Sequence, residues 1–320
     1  MSGAESVEQA LVAWFHRSRE LLWRLVVTTV GSCLRYRVTG LAAEAAFFAI
    51  VSVPPLIFAM AGAIGYVSDQ FSAAQVDDVR QAVIDLSSRA LTDSAVNDVI
   101  RPTIADVLDG GGRFDIISLG FVLALWSGSR ALNVFVDTIT IMHGLGGHRG
   151  IVKTRALSFS LYVLALVTGV VSIPLMVAGP SLVGDWLPPR LDFLMGFYWP
   201  VVICICICFL ATLYHVSVPV RTNWSFNLPG ATFSLFCWIV GSYLLRWFLT
   251  ATSADSKSIY GPLAAPIAVL LWLYLVSIAV LIGAAVNAAF DEVFPQKATT
   301  RARLELVQRL RRLGSRPETE

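Results

Sequence analysis

Arg130, Asn133 and Asp137 follow one another at intervals of three and four residues inside an otherwise apolar stretch. On a helix that spacing sets all three on one face. Glu44 sits in a second apolar stretch, between Ala43 and Ala45. An ionisable group at membrane depth is costly, so it marks a substrate path, a proton relay or a paired charge. If one stretch crosses the membrane and the other returns, Glu44 and the Arg130–Asp137 stripe occupy the same half of it. Glu44 is expected to pair with Arg130 or to line the same wet cavity. Two readings stay open: a polar pathway or headgroup site, or a buried ion pair that fixes how two helices dock. Asp137 also fits a place at the membrane interface.

Other residues carry weaker signals. Pro54 and Pro55 each lack a backbone donor and should kink their helix or break it locally; Pro174, Pro262 and Pro266 do the same elsewhere. Such breaks serve as hinges where the freed backbone faces protein or a water-filled cavity. Arg246 lies near one end of an apolar stretch, within snorkelling reach of headgroups. Asn287, in the last apolar stretch, is open to a structural or a functional reading. Cys204-Ile-Cys-Ile-Cys208 puts its middle thiol nearly opposite the outer two on a helix, so the three do not converge on a metal. His143-Gly-Leu-Gly-Gly-His148, followed by Arg149, Lys153 and Arg155, lacks the lysine placement of a phosphate loop. A basic link facing anionic headgroups is the simpler account.

The chain contains no G-x-S-x-G elbow, H-E-x-x-H pair or Walker motif. ATP-driven pumping by this chain alone is therefore excluded. No catalytic residue, cofactor or metal site is expected.

These residues need elements to hold them, and composition says which. Of the 320 residues 56% are hydrophobic and 14% charged, against about 25% charged in a soluble domain. The apolar residues gather into six runs, about 41–67, 115–141, 157–182, 194–214, 228–251 and 262–290. Each is long enough for the roughly 20 residues that a membrane helix needs. The second is the least regular, because Ser127, Gly128 and Ser129 interrupt it. No run alternates as a barrel strand would. The expected fold is an all-α polytopic membrane protein with six transmembrane helices.

Lys and Arg counts set the orientation. Residues 1–40, the links 142–156 and 215–227 and the segment after 290 hold sixteen, and the alternate segments hold six. Both termini are expected in the cytoplasm, which six spans permit. The expected organisation has a cytoplasmic amphipathic helix within 1–40, a transmembrane domain over 41–290 and a basic cytoplasmic tail over 291–320. Within 5–30, Val7, Leu11, Trp14, Leu22, Leu25 and Val26 recur at helical spacing. They suit a helix lying on the inner leaflet or packed on the bundle. Residues 68–114, with eight Asp against four Arg, are expected to form a small helical cap outside the cytoplasm. The tail from Arg301 to Arg316 reads as a basic amphipathic helix, suited to lipid headgroups rather than nucleic acid. Five cysteines give no disulfide framework, and charges in the first thirty residues interrupt any signal-peptide core.

Several stretches resemble the YihY/BrkB family of bacterial inner-membrane proteins. They are Leu41-Ala-Ala-Glu-Ala-Ala-Phe-Phe-Ala-Ile-Val-Ser-Val-Pro-Pro55-Leu56, Ser129-Arg-Ala-Leu-Asn133 and Trp224-Ser-Phe-Asn-Leu-Pro-Gly-Ala231. The fullest match is Ser258-Ile-Tyr-Gly-Pro-Leu-Ala-Ala-Pro-Ile-Ala-Val-Leu-Leu-Trp-Leu-Tyr274, followed by Leu281-Ile-Gly-Ala-Ala285. The resemblance implies six helices in the bacterial cytoplasmic membrane with cytoplasmic ends. It implies little chemistry: some members carry an old ribonuclease name, and others are discussed as transporters or tied to envelope phenotypes. Where the family often has an acidic residue after the Gly-Ala of the last span, this chain has Ala285.

The expected function is transport or translocation of an envelope component, an anionic or lipid-like molecule. Glu44, Arg130, Asn133 and Asp137 are its pathway candidates, Pro54, Pro55, Pro262 and Pro266 its hinges, and Arg149, Lys153, Arg155 and Arg246 its headgroup contacts. Membrane lipids are the expected partners. The competing expectation is a non-transporting scaffold that docks envelope proteins through the 68–114 cap and the tail. Oligomeric state is left open.

Overall fold

A computed structural model describes residues 2–67, 114–186, 198–253 and 264–314, with a few more between 81 and 102. Side chains are described over 19–56, 119–169, 198–250 and 266–308, with a few in between. Most of the cap expected over 68–114, and Pro262, lie outside that description.

The described chain is helical throughout its long elements. In order they are α1 (Ser2–Arg35), α2 (Val38–Val67), α3 (Phe114–Met142), α4 (Ile151–Trp186) and α5 (Tyr198–Ser217). A single 3-10 turn (Trp224–Asn227) leads into α6 (Leu228–Ser253), α7 (Ala264–Val293) and α8 (Lys297–Gly314). Six of them, α2 to α7, are long and apolar enough to cross a membrane. These are the six spans expected from the hydropathy pattern. An all-helical solution follows from the solvent, because lipid offers no partner for a backbone N–H or C=O.

Small residues decide which faces meet. Ala42, Ala45 and Ala46 are buried on α2, and among the described residues α2 and α3 form the most extensive helix pair. The irregular stretch of α3 belongs to this packing. Ser127 is buried and its hydroxyl donates to the Phe48 carbonyl of α2 at 3.0 Å, and Ser129 donates to Trp126 of its own helix at 2.9 Å. Gly128 meets the ring of Tyr162 from α4 so closely that any Cβ would overlap it. Polar residues that weakened the span as a hydropathy signal are the ones that bring its neighbours close.

α7 is the central helix and touches α1, α2, α3 and α6. Its buried side is rich in Gly and Ala (Ala279, Gly283, Ala284, Ala285, Ala288 and Ala289), joined by Val280, Leu281 and the polar Ser277, Asn287 and Asp291. Ala285 is fully buried in the core, a place that leaves no room for a carboxylate. Helix α2 runs unbroken through Pro54 and Pro55, so the expected local break is absent. Pro266 stands in the first turn of α7, where a missing N–H costs nothing. The opposite faces of the bundle carry large exposed apolar side chains such as Phe47, Leu119, Val122, Trp126 and Phe236. In lipid that is the expected outer surface.

Candidate functional site

The links 143–150, 218–223 and 294–296 share one end of the bundle with the start of α8, which is called the link end below. The polar stripe lies toward this end, at the meeting of α2, α3 and α4. Asn133 donates from Nδ2 to Asp137 Oδ2 at 2.6 Å, one helical turn on. Ser158 of α4 donates to Asn133 Oδ1 at 3.4 Å and to its own Thr154 carbonyl at 2.9 Å. Arg155 of α4 and Glu44 of α2 both stand within electrostatic reach of Asp137. Asn133 and Arg155 are half-buried, whereas Glu44 and Asp137 are exposed on the bundle surface.

Arg130 makes no ion pair with Glu44. Its guanidinium lies over the Phe48 ring of α2, 5.0 Å from the centroid, in a cation–π contact. The stripe is thus divided. Asn133 and Asp137 join Ser158, Arg155 and Glu44, while Arg130 turns to the aromatic face one helical turn beyond Glu44. Of the two arrangements expected for Glu44, pairing with Arg130 is therefore not formed, and the ring of Phe48, four residues on from Glu44, takes the guanidinium.

The headgroup candidates separate as well. Arg149 is committed to the C-terminus of α5: it donates to the carbonyls of Val216 at 2.9 Å and of Ser217 and Val218 at 3.2 Å. Thr140 adds a fourth hydrogen bond to Ser217 at 3.0 Å. These carbonyls lack helical partners, so Arg149 is a cap. Lys153 stays exposed in the first turn of α4. Arg246 is exposed near the far end of α6, between the exposed rings of Tyr243 and Trp247. That aromatic and basic grouping suits a membrane interface. Asn287 is structural: it accepts from Gly230 N at 2.8 Å and donates to the Asn227 carbonyl at 3.2 Å, holding the start of α6 against α7.

Two polar arrangements were not anticipated from the sequence. In the first, Tyr214 of α5 is hydrogen-bonded to Ser234 of α6 at 2.5 Å and donates to the Val280 carbonyl of α7 at 2.8 Å. All three helices meet there around Gly283, where a Cβ would collide with Ser234 and with Gly230. The Gly283 within the quoted 281–285 stretch was the available signal. In the second, Arg303 of α8 donates to Asp291 Oδ2 of α7 at 2.8 Å and to the His143 carbonyl at 2.8 Å. Asp291 is buried and also accepts from Gln296 N at 3.3 Å. His143 is fully buried with Nδ1 against the Ile139 carbonyl at 2.9 Å. Burial holds its pKa below the usual histidine value, so the neutral ring donates from Nδ1. The start of α8 is therefore part of the bundle: Thr299 and Ala302 are buried under it. The first residues of the segment expected as a tail from 291 onward are thus held against the bundle.

Taken together, six helices long and apolar enough to cross a membrane, with large apolar side chains exposed on their outer faces, define a polytopic membrane protein. Comparison with known proteins narrows the class. The profile described as Virulence factor BrkB matches residues 29–305, and the chain belongs to that family. A relative from Bacillus subtilis (strain 168), named as a ribonuclease-like protein, YfkH, is 26% identical over 252 residues. The alignment covers 77% of this chain and 87% of that relative. No solved structure matches.

Proposed function

We propose that the protein translocates an anionic, lipid-like envelope component in the bacterial cytoplasmic membrane, with both termini in the cytoplasm. The observation that carries this reading is the polar group at the α2–α3–α4 junction. Glu44 and Asp137 lie within membrane-spanning stretches yet remain exposed. A charge kept only for architecture is paired inside the bundle, since lipid exposure costs several kcal/mol. Exposed carboxylates beside Arg155 instead suit a wet path opening toward the inner leaflet. Arg155 and Lys153 supply positive charge for an anionic headgroup. Asn133, itself held by Ser158, orients Asp137, and the carboxylates balance the cations when the headgroup has left. The basic excess in segments 1–40, 142–156, 215–227 and after 290 supports the orientation.

A nuclease reading has little to rest on. The ribonuclease-like name belongs to a relative, and this sequence contains none of the hydrolytic motifs sought in it.

The test is lipid movement in proteoliposomes, read by quenching a fluorescent anionic lipid from one side. Asp137→Asn and Arg155→Gln are each expected to slow movement about tenfold, the effect of about 1.4 kcal/mol on one step. Glu44→Gln should act in the same direction. Wild-type protein that moves no more lipid than empty liposomes would sink the proposal.

A further inference from the structure

Apart from the polar junction, a groove of about 750 Å³ runs between α1 on one side and α6 and α7 on the other. Leu22, Val26 and Val30 of α1 face Ile278, Ile282 and Val286 of α7 across it. Leu22, Val26 and Val30 remain more than half exposed, so among the described residues none fills the groove. The α7 wall runs from Ile278 to Phe290, which is about 18 Å at 1.5 Å per residue. That length is close to one leaflet, half of a hydrocarbon core of about 30 Å.

One charge belongs to this wall. Arg37 is the charged residue among the described residues that line the groove, at the turn between α1 and α2. It holds a left-handed backbone, with φ of +50°. Its N–H donates to the Leu34 carbonyl at 3.2 Å, and its own carbonyl accepts from Gly40 at 2.9 Å and Leu41 at 3.2 Å. This position ends a helix and favours glycine, because a Cβ is crowded there. An arginine at a glycine position carries a backbone penalty that its side chain must offset elsewhere.

We infer that the groove is a binding site for one anionic phospholipid, its acyl chain along α7 and its phosphate on Arg37. The apolar walls match a hydrocarbon chain, the length matches one leaflet, and the guanidinium matches the charge of the headgroup. The inference rests on the membrane placement of the bundle and not on translocation.

The full chain is purified into nanodiscs of mixed phosphatidylcholine and phosphatidylglycerol, then released gently for native mass spectrometry. Wild-type protein is expected to retain one phosphatidylglycerol in preference to phosphatidylcholine. Arg37→Gly should keep the fold, since glycine suits the left-handed turn, and should lower the preference about fivefold, the effect of one lost surface cation. Arg37→Lys should restore part of it. Ile282→Trp, which fills the groove, should reduce retention of both lipids. Phe236→Leu, on the exposed apolar surface outside the groove, should leave retention unchanged. Equal retention of the two lipids by the wild type, or a preference that survives Arg37→Gly, overturns the assignment.

Discussion

At the residue scale, charges decide where the link end is held. Arg303 neutralises the buried Asp291 and ties it to the carbonyl of His143, so one side chain joins α8, α7 and the link after α3. Arg303→Ala leaves that carboxylate buried without its cation. The expected loss is about 2–3 kcal/mol, less than for a fully buried pair because Arg303 is 31% exposed. A lowered melting temperature in detergent, partly restored by Arg303→Lys, checks it. His143 gives a pH dependence with a definite sign. Burial depresses its folded pKa, so below an unfolded value near 6.5 the unfolded chain binds a proton that the folded chain refuses. Stability is complete above that value and declines as pH falls below it. Melting curves between about pH 7 and pH 5.5 should show this decline, and His143→Gln should flatten it.

At the element scale, the bundle is assembled by helices that approach through small residues. Gly230 and Gly283 let α6 and α7 touch backbone to backbone, with Tyr214 and Ser234 tying α5 to the same point. Gly283→Ala places a methyl group against the Gly230 backbone carbonyl and against the Ser234 hydroxyl, which its hydrogen bonds to Tyr214 and the Ala279 carbonyl hold in place. The cost should be about 3 kcal/mol or more. Early aggregation on heating in detergent, with Leu281→Met as a tolerated control in the same helix, checks it. The docked start of α8 also changes how the scaffold alternative can be tested. Deleting residues 300–320 removes Ala302 and Arg303 and so uncovers Asp291. A deletion beginning after Val307 spares that contact.

For the whole molecule, the reading concerns sidedness. The basic segments and the link end coincide, because the links 143–150, 218–223 and 294–296 and the start of α8 all lie there. Single cysteines introduced at Lys153 and Arg301 should be labelled only from the cytoplasmic side. One at Asp93, in the segment 68–114, should be labelled from outside. Labelling of Lys153 and Arg301 from opposite sides would refute the orientation.

Much of this architecture was legible before any coordinates. Six spans follow from composition along one dimension, since lipid demands about 20 apolar residues per crossing whatever the neighbours are. The stretches read as helical at the two ends are helices too, α1 and α8. Partners were not. Arg130 and Glu44 have a spacing and a sign that permit an ion pair, yet Phe48 takes the arginine, and Glu44 stands within electrostatic reach of a like charge, Asp137, which Arg155 offsets. Arg149 looked like a lipid contact and is an internal cap, because the carbonyls it satisfies lie 67 to 69 residues away in the chain. Ser127 and Gly128 weakened a span on hydropathy and strengthen it by packing. Hydropathy is additive along a chain, so sequence alone settles which segments meet lipid. Hydrogen bonds and close packing depend on angles and distances between helices, and those exist only once the helices have docked.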